Sequence, residues 1–249
     1  MQKEILISIH ISKTGGCTFA GILKQVYGDK FLELSYPHSA RGAWGLVQDL
    51  DLQKLDCIHG HFSYGIHRYF PKDITCKYVT FLREPIDRLM ALYYFNRNVI
   101  TGDLLPKDNF GTTDEFIQLV IRHGYAALDN GMTRVIGGLS EVFVDDIKSF
   151  VTEADYKIAL ENLSTFYFVG LVENPELEKT EYFKNSVVAL ANKLNWDSIP
   201  EQEMIHHFPG ILSPKDLRSM DRKRIEGSQL YDMSLWEEAK KINKGMLNE

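Results

Sequence analysis

Three short runs of aliphatic and aromatic residues, each followed by a helical pattern, set the architecture. They are ILISIHI (Ile5–Ile11), KYVTFL (Lys77–Leu82) and FYFVGL (Phe166–Leu171). Runs of this length and composition read as strands rather than helices. Helical stretches follow in turn, over Phe19–Tyr27, Pro85–Asn96 and Pro175–Leu194. Pro85 suits a first helical turn, and Phe183, Val187, Leu190, Ala191 and Leu194 recur at helical spacing. LDCIH (Leu55–His59) and Phe31–Leu34 are weaker strand patterns, and further helices are expected over Asp114–His123, Glu153–Leu163 and Ser228–Ile242. Strands alternating with helices predict an α/β fold, with a parallel sheet covered by helices on both faces. With 249 residues and no repeat, linker or low-complexity tract, the expectation is a single domain over residues 1–249.

Open parallel sheets bind ligands at the carboxyl ends of their strands. The residues richest in chemistry fall there. HISKTGGCTF (His10–Phe19) follows the first strand and leads into the first helix. A strand, a glycine-bearing turn and a helix start form an anion seat, because free backbone N–H groups and the helix dipole face the ligand. Gly15 and Gly16 let the backbone come close, Lys13 adds a point charge, and Thr14, Cys17 and Thr18 add donors. The phosphate-loop pattern GxxxxGK[ST] is not met, since the lysine precedes the glycines, and KYVTFL is followed by Arg83 rather than by a magnesium-binding aspartate. A Gly-rich turn with a solvated lysine is the bland alternative.

Arg83 lies at the second strand end, where a guanidinium can grip a phosphate in bidentate fashion or make an ordinary surface ion pair. Arg88 reads equally as a ligand contact or as an i,i+4 partner of Glu84. Tyr93, Tyr94 and Phe95 line an adenine slot or belong to the core. Two anion seats suggest a ligand with phosphates at two ends, such as a 3′-phosphorylated nucleotide.

HISKTGGCTF resembles the HIPKTGGTTF-type loop of the carbohydrate sulfotransferases related to heparan sulfate 2-O-sulfotransferase. REPIDRLMALYYF is similar to that family's R-[DE]-P-x-x-R-x-x-S-x-Y-Y element, and FYFVGLVENPE to its F-x-F-V-G-L-x-E strand. NGMTRVIGG (Asn130–Gly138) is similar to N-x-Q-T-R-x-x-x-G, and YDMSLWEEAKK to its D-x-x-L-Y-x-x-A helix. The matches run in order over most of the chain. The resemblance implies a P-loop-like three-layer fold and the donor 3′-phosphoadenosine 5′-phosphosulfate (PAPS), with adenosine 3′,5′-bisphosphate (PAP) as product and no metal. Lys13, Thr14, Gly15, Gly16, Cys17 and Thr18 would hold the 5′-phosphosulfate, and Arg83 the 3′-phosphate. Ser12 stands where the family has proline, Cys17 where it has a hydroxyl residue, and Ala91 where its serine touches the 3′-phosphate. A hydrogen bond to a charged group lost at Ala91 costs about 1.5–3 kcal/mol, roughly one to two decades in affinity.

Transfer to a hydroxyl needs a base near neutral pH, and DCIHGHFSYGIHRYF supplies His59 and His61 two residues apart at a strand end. The family's similar H-G-H implies His61 as base with His59 in support. Negative charge would build on the leaving phosphate oxygen, where Lys13 is placed to stabilise it. A metal site of His59, His61 and His67, or a purely structural pair, are the competing readings. His10 is expected to be buried rather than catalytic. His206–His207 carries only a weak functional signal, and Lys107 and Asn109 are candidates for the cleft edge.

The formal charge of −6 excludes a general polyanion binder such as a nucleic-acid protein. Basic clusters are few, Arg68 with Lys72 and the run Asp221-Arg222-Lys223-Arg224, the second simply a solvated helix face. Three cysteines, Cys17, Cys57 and Cys76, fit a reducing compartment. The opening segment has only eight consecutive uncharged residues before Lys13, too few for a signal peptide or a membrane span. The expectation is a soluble cytoplasmic enzyme acting on a neutral or small hydroxylated acceptor, a carbohydrate or glycolipid headgroup, with Arg134 either facing that acceptor or tying down its helix. A nucleotide kinase or NTPase with an atypical loop, and a non-catalytic nucleotide-binding relative, are the alternatives.

Overall fold

Five parallel strands form one sheet in the order β2-β3-β1-β4-β5 in the computed structural model. The structure describes residues 2–98, 112–140, 150–172, 181–201 and 217–247, with backbone only for residues 35–38 and 96–98. The strands are β1 (Lys3–Ile9), β2 (Phe31–His38), β3 (Cys57–Phe62), β4 (Ile74–Arg83) and β5 (Phe168–Val172). All five expected strands are present. β3 runs further than its pattern, so His59 and His61 both lie inside the strand. β1 ends at Ile9, two residues before the apolar run does, because the chain turns away into the loop.

Alternate residues of each strand face opposite layers. Ile5, Ile7 and Ile9 of β1 pack with Ile58, Leu82 and Val169 under helices α2 (Ala40–Val47), α5 (Gly131–Ile136), α6 (Glu153–Ser164) and α9 (Leu230–Met246). Leu6, Val79, Phe81 and Phe168 face the other way, onto α1 (Gly16–Tyr27) and α7 (Tyr182–Lys193). These make three layers. A satellite core holds α3 (Pro85–Asn98), α4 (Thr113–Ile121) and α8 (Ser219–Ser228) through Leu89, Tyr93, Phe116, Val120 and Ile225. No helix among the described residues is long and apolar enough to cross a membrane.

Capping boxes start α4 and α6. Thr112 and Thr152 accept from the N–H groups of Glu115 and Asp155, whose carboxylates accept the cap N–H in return. Three helices have little pattern in the sequence. α2 contains Gly42 and Gly45 and depends on Ser39, whose Oγ accepts from Gly42 N at 3.1 Å. α8 buries only Asp221 and Ile225, and its Arg222 and Arg224 pair with Glu226 and Asp221 on the helix surface.

α5 is six residues long and draws its caps from α9. Asp232 accepts from the N–H groups of Met132 at 3.1 Å and Thr133 at 2.7 Å. Asn130, just before α5, returns the favour: its Oδ1 accepts from Tyr231 N at 3.0 Å and Asp232 N at 3.1 Å. Gln229 joins them, donating to Leu128 O and accepting from Asn130 N. Each helix start is thus satisfied by a side chain of the other, which removes orphan donors that burial would otherwise leave unmade.

Candidate active site

The crevice between β1 and β4 is where the strand order reverses. β3 lies on one side of β1, and the chain crosses over to place β4 on the other. Lys13 follows β1 and Arg83 ends β4, so adjacent strands carry the two cations to the same carboxyl edge. β3 brings His61 to the flank of β1 opposite β4.

The loop after β1 is a tight turn. Thr14 Oγ1 and N both donate to the carbonyl of Ile11, at 2.8 and 3.3 Å. Lys13 and Gly15 adopt left-handed backbone, with φ of 69° and 80°. For Lys13 this strain is on the order of 1–3 kcal/mol. Gly15 then caps α1 without a side-chain bond, and the first turn of α1 carries no acidic residue. The helix dipole therefore meets no negative side chain at this end of α1. Thr14 and Thr18 are buried beneath the turn, while Cys17 is exposed.

The ammonium of Lys13 lies over the Phe95 ring, 4.1 Å from its centroid. Burial, reinforced by the Arg83 guanidinium and opposed by Cys17, brings its pKa down to about 8. Arg83 Nη1 donates to the carbonyl oxygen of Lys13 at 3.3 Å, and its Nε donates to Asp87. Asp87 N in turn donates to Glu84 Oε2 at 2.6 Å. Burial, with the Asp87 charge adding to it, pushes the Glu84 carboxyl up to about 7.

Three imidazoles form a column beside this turn. His59 and His61 share one face of β3 by the two-residue period. His59 is buried, its Nδ1 2.8 Å from Ser8 Oγ. Burial first, then His61, brings its pKa down to about 3, so it is neutral. His61 is half-buried. The ring of His10 stacks on His61 with centroids 3.9 Å apart, and lies 5.2 Å from His59.

Some expectations are corrected, and alternatives left open by the sequence are narrowed. Arg88 is neither a ligand contact nor a partner of Glu84. It is fully buried, with Nη2 donating to Ala127 O at 2.9 Å and lying 3.8 Å from Asp232 Oδ2. A cation at a turn of α3 that faces inward must find its anion in the core, and Asp232 is that anion. Tyr93 belongs to the satellite core, Tyr94 packs against it, and Phe95 lies under the Lys13 ammonium. Arg134 ties its helix down through Asp129 at 2.7 Å and the carbonyl of Ser140 at 3.4 Å. His67 turns to the Tyr78 hydroxyl, 2.8 Å away, so it does not join His59 and His61. No group of three His, Cys, Asp or Glu side chains among the described residues is arranged to hold a metal. Ala91 is buried on α3. Lys107, Asn109, His206 and His207 lie outside the described residues.

Sequence reasoning missed three neighbours. Asp87 is four residues from Arg83, a helical spacing that was available as a signal. Phe95 and His10 were in view, but their contacts depend on tertiary placement that no local pattern carries.

No protein-family model matches the chain, and no curated protein matches it. Among solved structures, the mouse sulfotransferase SULT7A1 complexed with PAP matches 98% of this chain and 89% of its own, with a TM-score of 0.52 at 11% identity. The chain therefore shares the P-loop-like, three-layer α/β fold of that sulfotransferase.

Proposed function

We propose that this protein transfers a sulfuryl group from PAPS to a hydroxyl of a carbohydrate or other small hydroxylated acceptor. The observation that carries this reading is the joining of the two cationic seats. Arg83 donates to the backbone of Lys13, with His61 on the next strand over. The fold shared with a PAP-bound sulfotransferase supports it.

The residues fit a doubly phosphorylated adenosine. The uncapped first turn of α1 and Lys13 suit the 5′ end. Arg83 suits the 3′ end, because Nε and one Nη1 proton are committed to Asp87 and Lys13, and Nη2 has no partner among the described residues. The donor supplies a sulfuryl group on a phosphate leaving group. His61 takes the proton of the acceptor hydroxyl as the new S–O bond forms. Lys13 meets the charge that grows on the phosphate oxygen as the old S–O bond breaks. An anion beside Lys13 favours its charged form and offsets the desolvation that lowers its pKa. The turn amides and Arg83 hold the reacting atoms in line. His59, buried and neutral, supports the strand face under His61.

Thermal shift with PAP, adenosine 5′-phosphosulfate and ATP–magnesium tests the ligand class, since a ligand held by the native state raises the melting point. PAP is expected to raise it most, and preference for ATP–magnesium would point to phosphoryl transfer instead. Radiolabelled sulfate transfer by wild type, lost in His61→Ala with PAP binding retained, tests the chemistry.

A further inference from the structure

Gly16 is the first residue of α1, and the space where its side chain would stand is taken by His10. A Cβ there would lie 1.9 Å from His10 Cδ2, 2.2 Å from Nε2 and 2.4 Å from Cγ. No alanine fits while that ring stays in place. The ring is only 7% exposed and stacks on His61 at 3.9 Å with the planes 26° apart. Its backbone is fixed as well, since His10 N donates to Gly60 O at 2.8 Å, between the two β3 histidines. Gly60 itself has φ of +156° and runs so close to β2 that a Cβ would meet Leu34 O at 2.3 Å, so β3 is tightly packed against β2 there. One imidazole is therefore wedged between the anion-binding turn and the half-buried histidine beside it.

We propose that His10 is a positioning residue that sets His61 relative to the anion-binding turn, so that a displacement of the turn at Gly16 is passed through the His10 ring to His61. Its consequence for catalysis rests on the sulfotransferase reading above; the mechanical link does not. Burial, with His61, His59 and Lys13 adding to it, holds His10 well below the ordinary imidazole range, so the wedge is uncharged and does not compete with Lys13 for an anion. Packed interiors transmit such displacements because they have little free volume to absorb them.

The test is a double-mutant cycle on the ligand-free protein, with Gly16→Ala, His10→Ala and both together. Two quantities are read: the melting temperature, and the Cε1–H NMR signal of His61, assigned with His61→Gln. Gly16→Ala is expected to destabilise wild type strongly and the His10→Ala background much less. If Gly16→Ala alone fails to fold, recovery of a folded protein in the double variant carries the same information. His10→Ala is expected to move the His61 signal, since a ring stacked at this distance is removed. In variants that fold, Gly16→Ala is expected to move it only when His10 is present. Equal destabilisation in both backgrounds, or a His61 signal indifferent to His10, overturns the proposal.

Turnover then separates positioning from packing. His10→Ala is expected to lower kcat roughly tenfold to a hundredfold with the donor KM nearly unchanged, and His10→Phe, which keeps a flat ring in the wedge, to restore most of it. Equal loss in both variants overturns the positioning role. A wild type that neither binds PAP nor transfers sulfate would sink the functional reading, and the cycle would still decide the link between Gly16, His10 and His61.

Discussion

Arg83, the last residue of β4, donates through Nη1 to the carbonyl oxygen of Lys13, 3.3 Å away on the turn after β1. The same guanidinium donates to the buried carboxylate of Asp87. One side chain thus braces the turn after β1, and in the proposed reading it also meets the 3′ end of the donor. Arg83→Lys keeps the charge and loses the planar fork. PAP affinity is expected to fall by roughly tenfold to a hundredfold, the loss of one charged hydrogen bond or two, as read by isothermal titration. An unchanged affinity would place the 3′-phosphate elsewhere.

Lys13 gives a pH dependence with two opposite faces. Its folded pKa of about 8 lies below the ordinary value of 10.5. Between those values the unfolded chain binds more protons than the folded one, so the ligand-free protein gains stability as pH rises from about 8 towards 10.5. Over the first part of that range the ammonium is lost, and affinity for an anion falls. Melting temperature and PAP affinity should therefore move in opposite directions above pH 8. In Lys13→Ala both contributions are expected to vanish.

Glu84 makes the contrary contribution. Its carboxyl is held at about 7 against an ordinary 4.5, so the folded state binds the extra proton between those values. Stability from this group is present at low pH and is lost as pH rises from about 4.5 through 7. Glu84→Gln retains an acceptor for Asp87 N and removes the charge. It is expected to stabilise the protein at pH 8, by on the order of 2 kcal/mol, and to leave stability at pH 4.5 nearly unchanged. Urea denaturation at the two pH values reads the difference.

Asp232 caps α5 and is the buried counter-ion of Arg88. Asp232→Ala is expected to cost about 3–5 kcal/mol, because it leaves Arg88 buried without its anion and frees two N–H groups. Asp232→Asn keeps an acceptor for the helix start and should cost less. Neither is expected to change donor KM in protein that remains folded, which steady-state kinetics at low temperature would check.

The sheet was legible because its strands are buried on both faces and read as continuous apolar runs, Ile5–Ile11 above all. The carboxyl-edge rule then brought Lys13, Arg83 and the β3 histidines together without tertiary information. Helix α2 was not legible, and α5 and α8 showed only through Arg134 and the run Asp221–Arg224, without bounds. Their stability comes from Ser39, from the Asp232 cap and from the single buried Ile225, and not from apolar periodicity. Arg88 and Arg134 leave a ligand role open in the sequence because no pattern there pairs them with their anions, Asp232 and Asp129. Asp232 lies far along the chain, beyond any local pattern. The segments Asn130–Gly138 and Tyr231–Lys241, which resemble family motifs, supply scaffold through Asn130 and Asp232.

The mutual capping of α5 and α9 also bears on biosynthesis. Asn130 and Asp232 stand about a hundred residues apart, and neither helix start is satisfied until both have left the ribosome. Arg88 likewise meets its anion only once Asp232 is in place. Until then water solvates the guanidinium, so it is the closing of the core over Arg88 that has to await Asp232.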